Sequence, residues 1–175
     1  VSRLQNSDFE KLAVPLLDPL YNFARWLSGD PDEARDLVQE TFLKALRGFG
    51  SFQEGTNFRA WMFRILRNTF LTSRTGLERR MTEQEEEAGL EVAAAHLDTP
   101  ELAAMRRADM ELVQQAIAKL APAFQEVLLL ADIEEMKYQE VAEALSIPIG
   151  TVMSRLARAR KQVREFIVQA AGGKP

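Results

Sequence analysis

An all-α fold of two small helical domains joined by an acidic linker is what this sequence predicts, on three observations. Val, Ile and Thr never gather into alternating runs long enough for strands. Apolar residues instead recur at helical spacing along most of the chain. The long stretch without that spacing, 76–98, is rich in Glu and poor in large apolar side chains. Length agrees, since 175 residues hold one ordinary domain or two small ones. With 46% hydrophobic and 27% charged residues, the composition is that of packed domains rather than disordered chain.

The first domain is predicted over 1–75, near neutral with 10 bases and 9 acids. A helix from about Asp8 to Ser28 carries Phe9, Leu12, Leu16, Leu20 and Phe23 at helical spacing. Gly29-Asp30-Pro31 interrupts it, with Asp30 placed to cap the next helix and Pro31 suited to its first turn. That helix runs to about Arg47 and stops at Gly48 and Gly50. After a short loop, Ser51 to Gly55, either Thr56 or Asn57 can cap a third helix through about Ser73.

The stretch 76–98 holds Glu78, Glu83, Glu85, Glu86, Glu87, Glu91 and Asp98 against Arg79 and Arg80. It reads as a solvated acidic linker. Thr99-Pro100-Glu101 then starts a second helical domain, 99–171: a capping hydroxyl, Pro at the first position, an acid in the first turn. Leu102, Met105, Leu112, Val113, Ile117 and Leu120 follow at helical spacing, and Pro122 opens another helix with Phe124, Val127, Leu128 and Ala131. Each domain is at the small end for a core, so packing on a partner would help both.

Several classes are excluded or disfavoured. There is no Cys, which rules out disulfides, thiol catalysis and thiolate metal sites, and fits a reducing, cytosolic setting. The one His, His96, sits in the polar stretch and reads as a solvated side chain rather than a ligand. No Gly-rich phosphate loop, Ser/His/Asp set or metal-ligand cluster is present, so no cofactor, metal, small-molecule substrate or catalysis is expected. The longest dense apolar stretch, Val127 to Ala131, is far too short to span a membrane, and the N-terminus lacks a charged start with an apolar run. The net charge of −4 argues weakly against nucleic acid, but the distribution of charge points the other way.

Three segments carry functional signals. In Tyr138 to Val163, a short helix with Tyr138, Val141, Ala142 and Leu145 inward is followed by the break Ser146-Ile147-Pro148. A longer helix with Val152, Leu156, Ala159 and Val163 inward then opens at Ile149-Gly150-Thr151. This is the layout of a helix-turn-helix. Its second helix turns Thr151, Ser154, Arg155 and Arg158 outward, and 154–164 holds Arg155, Arg158, Arg160, Lys161 and Arg164 with no acid. A positive helix in a net-negative chain suits phosphate contact and base readout. Such a helix with merely solvated charges is the plainer alternative.

In Asn57 to Arg74, Phe58, Met62, Ile65 and Thr69 make the inward stripe. Arg64, Arg67, Asn68 and Leu71 lie on another side, with Phe63, Phe70 and Arg74 at its margin. Arginine for phosphate, aromatic faces for stacking and an amide for a base edge suit single-stranded bases. A mixed amphipathic helix is the commoner source of such a pattern, and Trp61 is more often core than a stacking platform. The third segment is Asp36 to Phe42. There Ala34, Val38, Thr41 and Ala45 face inward while Asp36, Gln39, Glu40, Leu43 and Arg47 line the outer side. An outward leucine among acids and an amide suits protein docking, though a solvated face is the default.

These segments, in this order, resemble the extracytoplasmic-function (ECF) family of bacterial sigma factors. They read Asp36-Leu37-Val38-Gln39-Glu40-Thr41-Phe42, then Phe58-Arg59-Ala60-Trp61-Met62-Phe63-Arg64-Ile65-Leu66-Arg67-Asn68-Thr69, then Tyr138-Gln139-Glu140-Val141-Ala142-Glu143-Ala144-Leu145 with Ile149-Gly150-Thr151-Val152-Met153-Ser154-Arg155-Leu156. Gly55-Thr56-Asn57 and Pro148 to Arg155 look most like the branch answering oxidative stress.

The resemblance implies two domains, sigma region 2 over 1–75 and sigma region 4 over 99–171. It implies a cytoplasmic bacterial factor that directs core RNA polymerase to −10 and −35 promoter elements under control of an anti-sigma factor. Asp36, Leu37, Gln39, Glu40, Phe42 and Leu43 would dock on the clamp coiled coil of the polymerase large subunit. Asn68 would help pocket a flipped −10 base, with Trp61, Arg64, Arg67, Phe70, Arg74 and the turn Thr69 to Gly76 beside it. Gly150, Thr151, Met153, Ser154, Arg155, Ala157, Arg158 and Lys161 would face the −35 element, and the acidic linker would thread the polymerase toward the RNA exit path. Glu135 stands where the family often has glycine, and Ala157 is small where some relatives carry a larger reader. The runner-up is a helix-turn-helix regulator acting without polymerase. The docking helix and the Asn57 to Arg74 segment speak against it, since such a regulator needs neither.

Overall fold

A computed structural model describes residues 6–77 and 99–172, all of them helical or in short connections, with no strand among them. The expected linker therefore lies outside the described residues, apart from its first two positions, which end a helix; His96 lies outside them too. Contacts divide the chain into two compact units, Val1–Gly89 with Gln139–Ile147 and Leu90–Tyr138 with Pro148–Pro175. The grouping of Gln139–Ile147 with the first unit departs from a boundary drawn at the linker alone.

The first unit begins not with one helix but two. Helix α1 (Asn6–Ala13) gives way to a 3-10 turn at Val14–Leu16 before α2 (Leu17–Ser28). Pro15 is the cause, because it lacks the N–H that would continue an α-helix. Gly29, at φ 73, closes α2 in the left-handed conformation that glycine adopts without strain. Asp30 then caps α3 (Pro31–Gly48), its carboxylate accepting from the Asp32 and Glu33 N–H groups at 2.8 Å each. A 3-10 turn, Phe49–Ser51, ends α3. Of the two candidate caps for α4 (Phe58–Leu77), Asn57 takes the role, its Oδ1 accepting from the Ala60 N–H at 2.8 Å. Helix α4 runs past Ser73, so the turn expected at Thr69 to Gly76 is helix instead.

Leu20, Phe23, Ala24, Ala34, Val38, Ala45, Met62, Phe63 and Leu66 fill the core where α2, α3 and α4 meet. Phe63 is thus fully buried rather than marginal. Beside this core the rings of Phe9, Phe49, Phe52, Phe58 and Trp61 meet mostly edge-on at 5.0–6.1 Å, the geometry their quadrupoles favour. Leu12, one of the apolar residues at helical spacing, is exposed.

The second unit contains α5 (Pro100–Ala118), α6 (Pro122–Leu128), a π-helical turn at Leu129–Ile133 and α8 (Ile149–Ala170). Ile117, Leu120, Val127, Leu130, Val152, Leu156 and Ala159 are its buried residues where α5 and α6 pack on α8. Met105 and Val113, expected at helical spacing on α5, are exposed, whereas Ile117 is buried. Helix α7 (Tyr138–Leu145), which contacts group with the first unit, buries Val141, Ala142, Ala144 and Leu145 but leaves Tyr138 exposed.

Glu135 has a φ of 52°, in the left-handed region. The glycine usual in the resembled family would adopt it freely, whereas an L side chain pays roughly 1–2 kcal/mol there. Part of that cost returns through the looser unfolded chain that glycine brings. Glu135→Gly is therefore expected to stabilise the fold by about 0.5–1 kcal/mol. Thermal unfolding checks this, and a lower Tm in the variant would contradict the strain.

Candidate nucleic-acid and polymerase interface

Helix α8 opens at a three-residue break. The Ile147 N–H closes α7 on the Ala142 carbonyl at 3.1 Å, and Pro148 sits at the cap of α8, extended at φ −62 and ψ 146. Pro148 accepts from both the Thr151 and Val152 N–H groups, at 2.9 and 3.2 Å. The Thr151 amide is therefore already bonded within the turn. The amides of Ile149 and Gly150 precede the first intrahelical bond.

Along α8, Val152, Leu156 and Ala159 are buried, while Met153, Ser154, Ala157, Arg158 and Lys161 are exposed and Thr151 and Arg155 half-buried. The outward row is as the periodicity predicts. Two of its polar groups have local partners: Ser154 Oγ donates to the Thr151 carbonyl at 3.2 Å, and Lys161 pairs with Glu165 at 3.8 Å. Arg160 differs from the other cations. Its Nε and Nη2 reach the two Asp132 carboxylate oxygens at 2.9 and 2.6 Å.

On α4 the expected set separates into two rows. At about 100° per residue, Trp61, Arg64 and Asn68 share one stripe, while Arg67, Phe70 and Arg74 share the next. Arg64 and Asn68 are exposed, and Trp61 is half-buried with Phe52 and Phe58 rings at 5.0 and 5.6 Å. Arg74 is turned inward. It reaches Glu33 of α3 at 3.3 Å and the Ser28 carbonyl at 3.4 Å, and its guanidinium lies over the Phe70 ring at 5.1 Å. It ties α4 to α2 and α3 as well as lying near the expected strand-binding face.

On α3 the inward set is confirmed, with Ala34, Val38, Thr41 and Ala45 buried. Asp36, Gln39, Glu40, Leu43 and Arg47 are exposed, Leu43 to 53%. Leu37, of the expected docking set, is instead core, at 4% exposure. Phe42 is half-buried, edge-on to Phe9 at 6.3 Å. Lys44 bonds both Glu40, at 2.8 Å, and the Thr69 hydroxyl of α4, at 3.2 Å, which links α3 to the helix behind it.

A cleft of about 500 Å³ in the first unit is lined by Phe52, Gln53, Thr56, Asn57, Trp61 and Arg64, among others. Of the loop residues among them, Phe52 and Gln53 carried no functional expectation. An aromatic, an amide and a capping Asn just before an Arg-bearing helix were the available signal. Asn57 also donates to Glu140 at 2.7 Å. Among the described residues no group of three or more His, Cys, Asp or Glu could hold a metal, and no helix is long and apolar enough to cross a membrane.

Residues 12–80 match the family model for sigma-70 region 2, and residues 110–163 that for sigma-70 region 4. The ECF RNA polymerase sigma factor EcfG of Rhodopseudomonas palustris is 36% identical over 155 residues, which cover 89% of this chain and 81% of that one. The chain belongs to the ECF sigma factors. The ECF sigma factor SigE of Mycolicibacterium smegmatis is 34% identical over 161 residues, and the match covers 92% of this chain but 62% of that relative's length. Among solved structures, the sigma factor RpoE of Bartonella quintana, in complex with the anti-sigma factor NepR, is similar with a TM-score of 0.74 at 30% identity, covering 91% of this chain and 96% of that one. CnrH, in complex with the cytosolic domain of CnrY, shares the fold at a TM-score of 0.66 and 24% identity, over 93% of this chain and 89% of that one. In this ECF sigma factor the region 2 match contains α2, α3 and α4, and the region 4 match runs from α5 into α8.

Proposed function

We propose that this chain docks on core RNA polymerase through the outer face of α3, reads the −35 element with α8 and opens the −10 element with α4. It supplies no catalysis of its own and works in the bacterial cytoplasm, under an anti-sigma factor such as the one bound to the Bartonella relative. The observation that carries the reading is the pair of faces on α8. The buried row Val152, Leu156 and Ala159 fixes the helix, Ser154 and Arg158 are exposed away from it, and Arg155 is half-buried at its edge. Asp36, Gln39, Glu40 and Leu43 support a separate protein contact, as an exposed leucine within a polar row on a helix anchored by its other face.

The docking face is tested by reversing its charge. Asp36→Arg with Glu40→Arg should weaken association with core polymerase about tenfold, because two exposed charge contacts worth roughly 0.2–1 kcal/mol each become repulsive. Both side chains are exposed, so the helical circular-dichroism signal should not change. Wild-type co-migration of the double variant with core polymerase would exclude this face.

A further inference from the structure

Arg160 is counted by sequence among the cations of the recognition helix, yet it does not share the face of Arg158. It lies about 200° round α8 from Arg158, and about 40° from the buried Leu156. From that flank it meets Asp132 in a two-bond fork, at 2.9 and 2.6 Å. Asp132 sits in the π-helical turn Leu129–Ile133, where the Glu134 N–H bonds back five residues to the Leu129 carbonyl at 2.9 Å. The extra residue of such a turn shifts the following side chains round the axis relative to an α-helix. Asp132, chiefly by its hydrogen bond, and the Tyr138 hydroxyl hold the Arg160 proton more tightly than usual, against a smaller opposing effect of burial.

We infer that Asp132 is a positioning residue for −35 recognition, anchoring α8 through Arg160 so that Arg155 and Arg158 meet the DNA in register. The pair is the polar counterpart of the buried Leu156 and Ala159 contacts. Apolar burial holds the helix against its support but resists rolling and sliding weakly, because it has no direction. A planar guanidinium locked to a carboxylate by two bonds is directional and resists both. The pairing also withdraws one positive charge from nonspecific phosphate contact.

The inference rests on the proposed −35 reading, and its test separates the two. Holoenzyme reconstituted with core polymerase is measured for affinity on promoters with matched and scrambled −35 sequences, across a salt series. Asp132→Asn should reduce the matched-to-scrambled ratio by about tenfold, the scale of one good base contact. Binding to a pre-melted −10 bubble and to core polymerase should stay at the wild-type level. The slope of affinity against salt should stay level or steepen, because Arg160 is released toward phosphate. Arg160→Lys keeps the charge but loses the fork, and should show the same loss of ratio. The charge swap, Asp132→Arg with Arg160→Asp, should restore much of it. Wild-type discrimination in both Asp132→Asn and Arg160→Lys would overturn the positioning role alone. So would equal losses on the −10 bubble, which would mark a merely structural pair. A wild-type holoenzyme with no −35 discrimination would overturn the functional reading itself.

Discussion

Arg155→Ala and Arg158→Ala in the reconstituted holoenzyme are expected to cost about 1–3 kcal/mol of promoter affinity each, if the lost contact is a two-bond pair to a base. Arg158 is exposed on the outer side of α8, and Arg155 is half-buried about 40° round the helix from the buried Ala159. They are three residues apart, so they emerge from neighbouring turns and can reach successive base edges or phosphates. The two kinds of contact separate by experiment. Loss of a base contact lowers affinity for the matched −35 sequence and spares the scrambled one. Loss of a phosphate contact weakens both and reduces the salt slope by about one. Arg106→Ala, on the exposed side of α5, is the control and should do little. If both α8 variants bind like wild type while the control loses affinity, the recognition helix has been assigned to the wrong segment.

Asn68→Ala should lower open-complex formation about tenfold and leave initial duplex binding nearly intact. An amide reading an unstacked base makes its hydrogen bonds only after the base leaves the helix, and their loss costs roughly 1–2 kcal/mol. Asn68 is exposed on α4, one turn beyond exposed Arg64 and on the same stripe as half-buried Trp61. An aromatic face, a cation and an amide thus succeed one another along one line, as single-strand binding requires. Permanganate reactivity of the −10 region reads the opening directly. A pre-melted bubble should remain sensitive to the substitution, since the base contact persists there. Wild-type reactivity and transcription in the variant would remove α4 from the melting step.

Much of this was legible in the sequence because the signals were local. Asp30-Pro31 announced a capped helix, since a cap acts through backbone geometry within a few residues. The buried row of α8 followed from spacing alone, as did that of α3. What escaped was decided by neighbours in space. Leu37 is an exception: it belongs to the docking motif, yet it lies about 40° round α3 from the inward Thr41 and is buried, so helical spacing alone separates it from the exposed Leu43. The Arg160 partner lies 28 residues away, beyond any local pattern. The 3-10 turn at Pro15 is locally encoded, but regular apolar spacing on both sides of it imitates one continuous helix. The left-handed Glu135 was legible only through the resemblance, as a side chain where glycine is usual.

The central claim is that promoter recognition by this chain depends on polymerase. The most direct test is binding of one labelled promoter by the chain alone, by core polymerase alone, and by the two together, at a fixed salt concentration. The chain carries a formal net charge of −4, and each recognition surface is a single helix, so alone it should bind promoter duplex poorly and without preference. With core polymerase present, binding should become specific for the intact −10 and −35 elements, and initiation should follow. Tight, specific binding by the isolated chain, unchanged when polymerase is added, would contradict the account and point to a self-sufficient helix-turn-helix regulator.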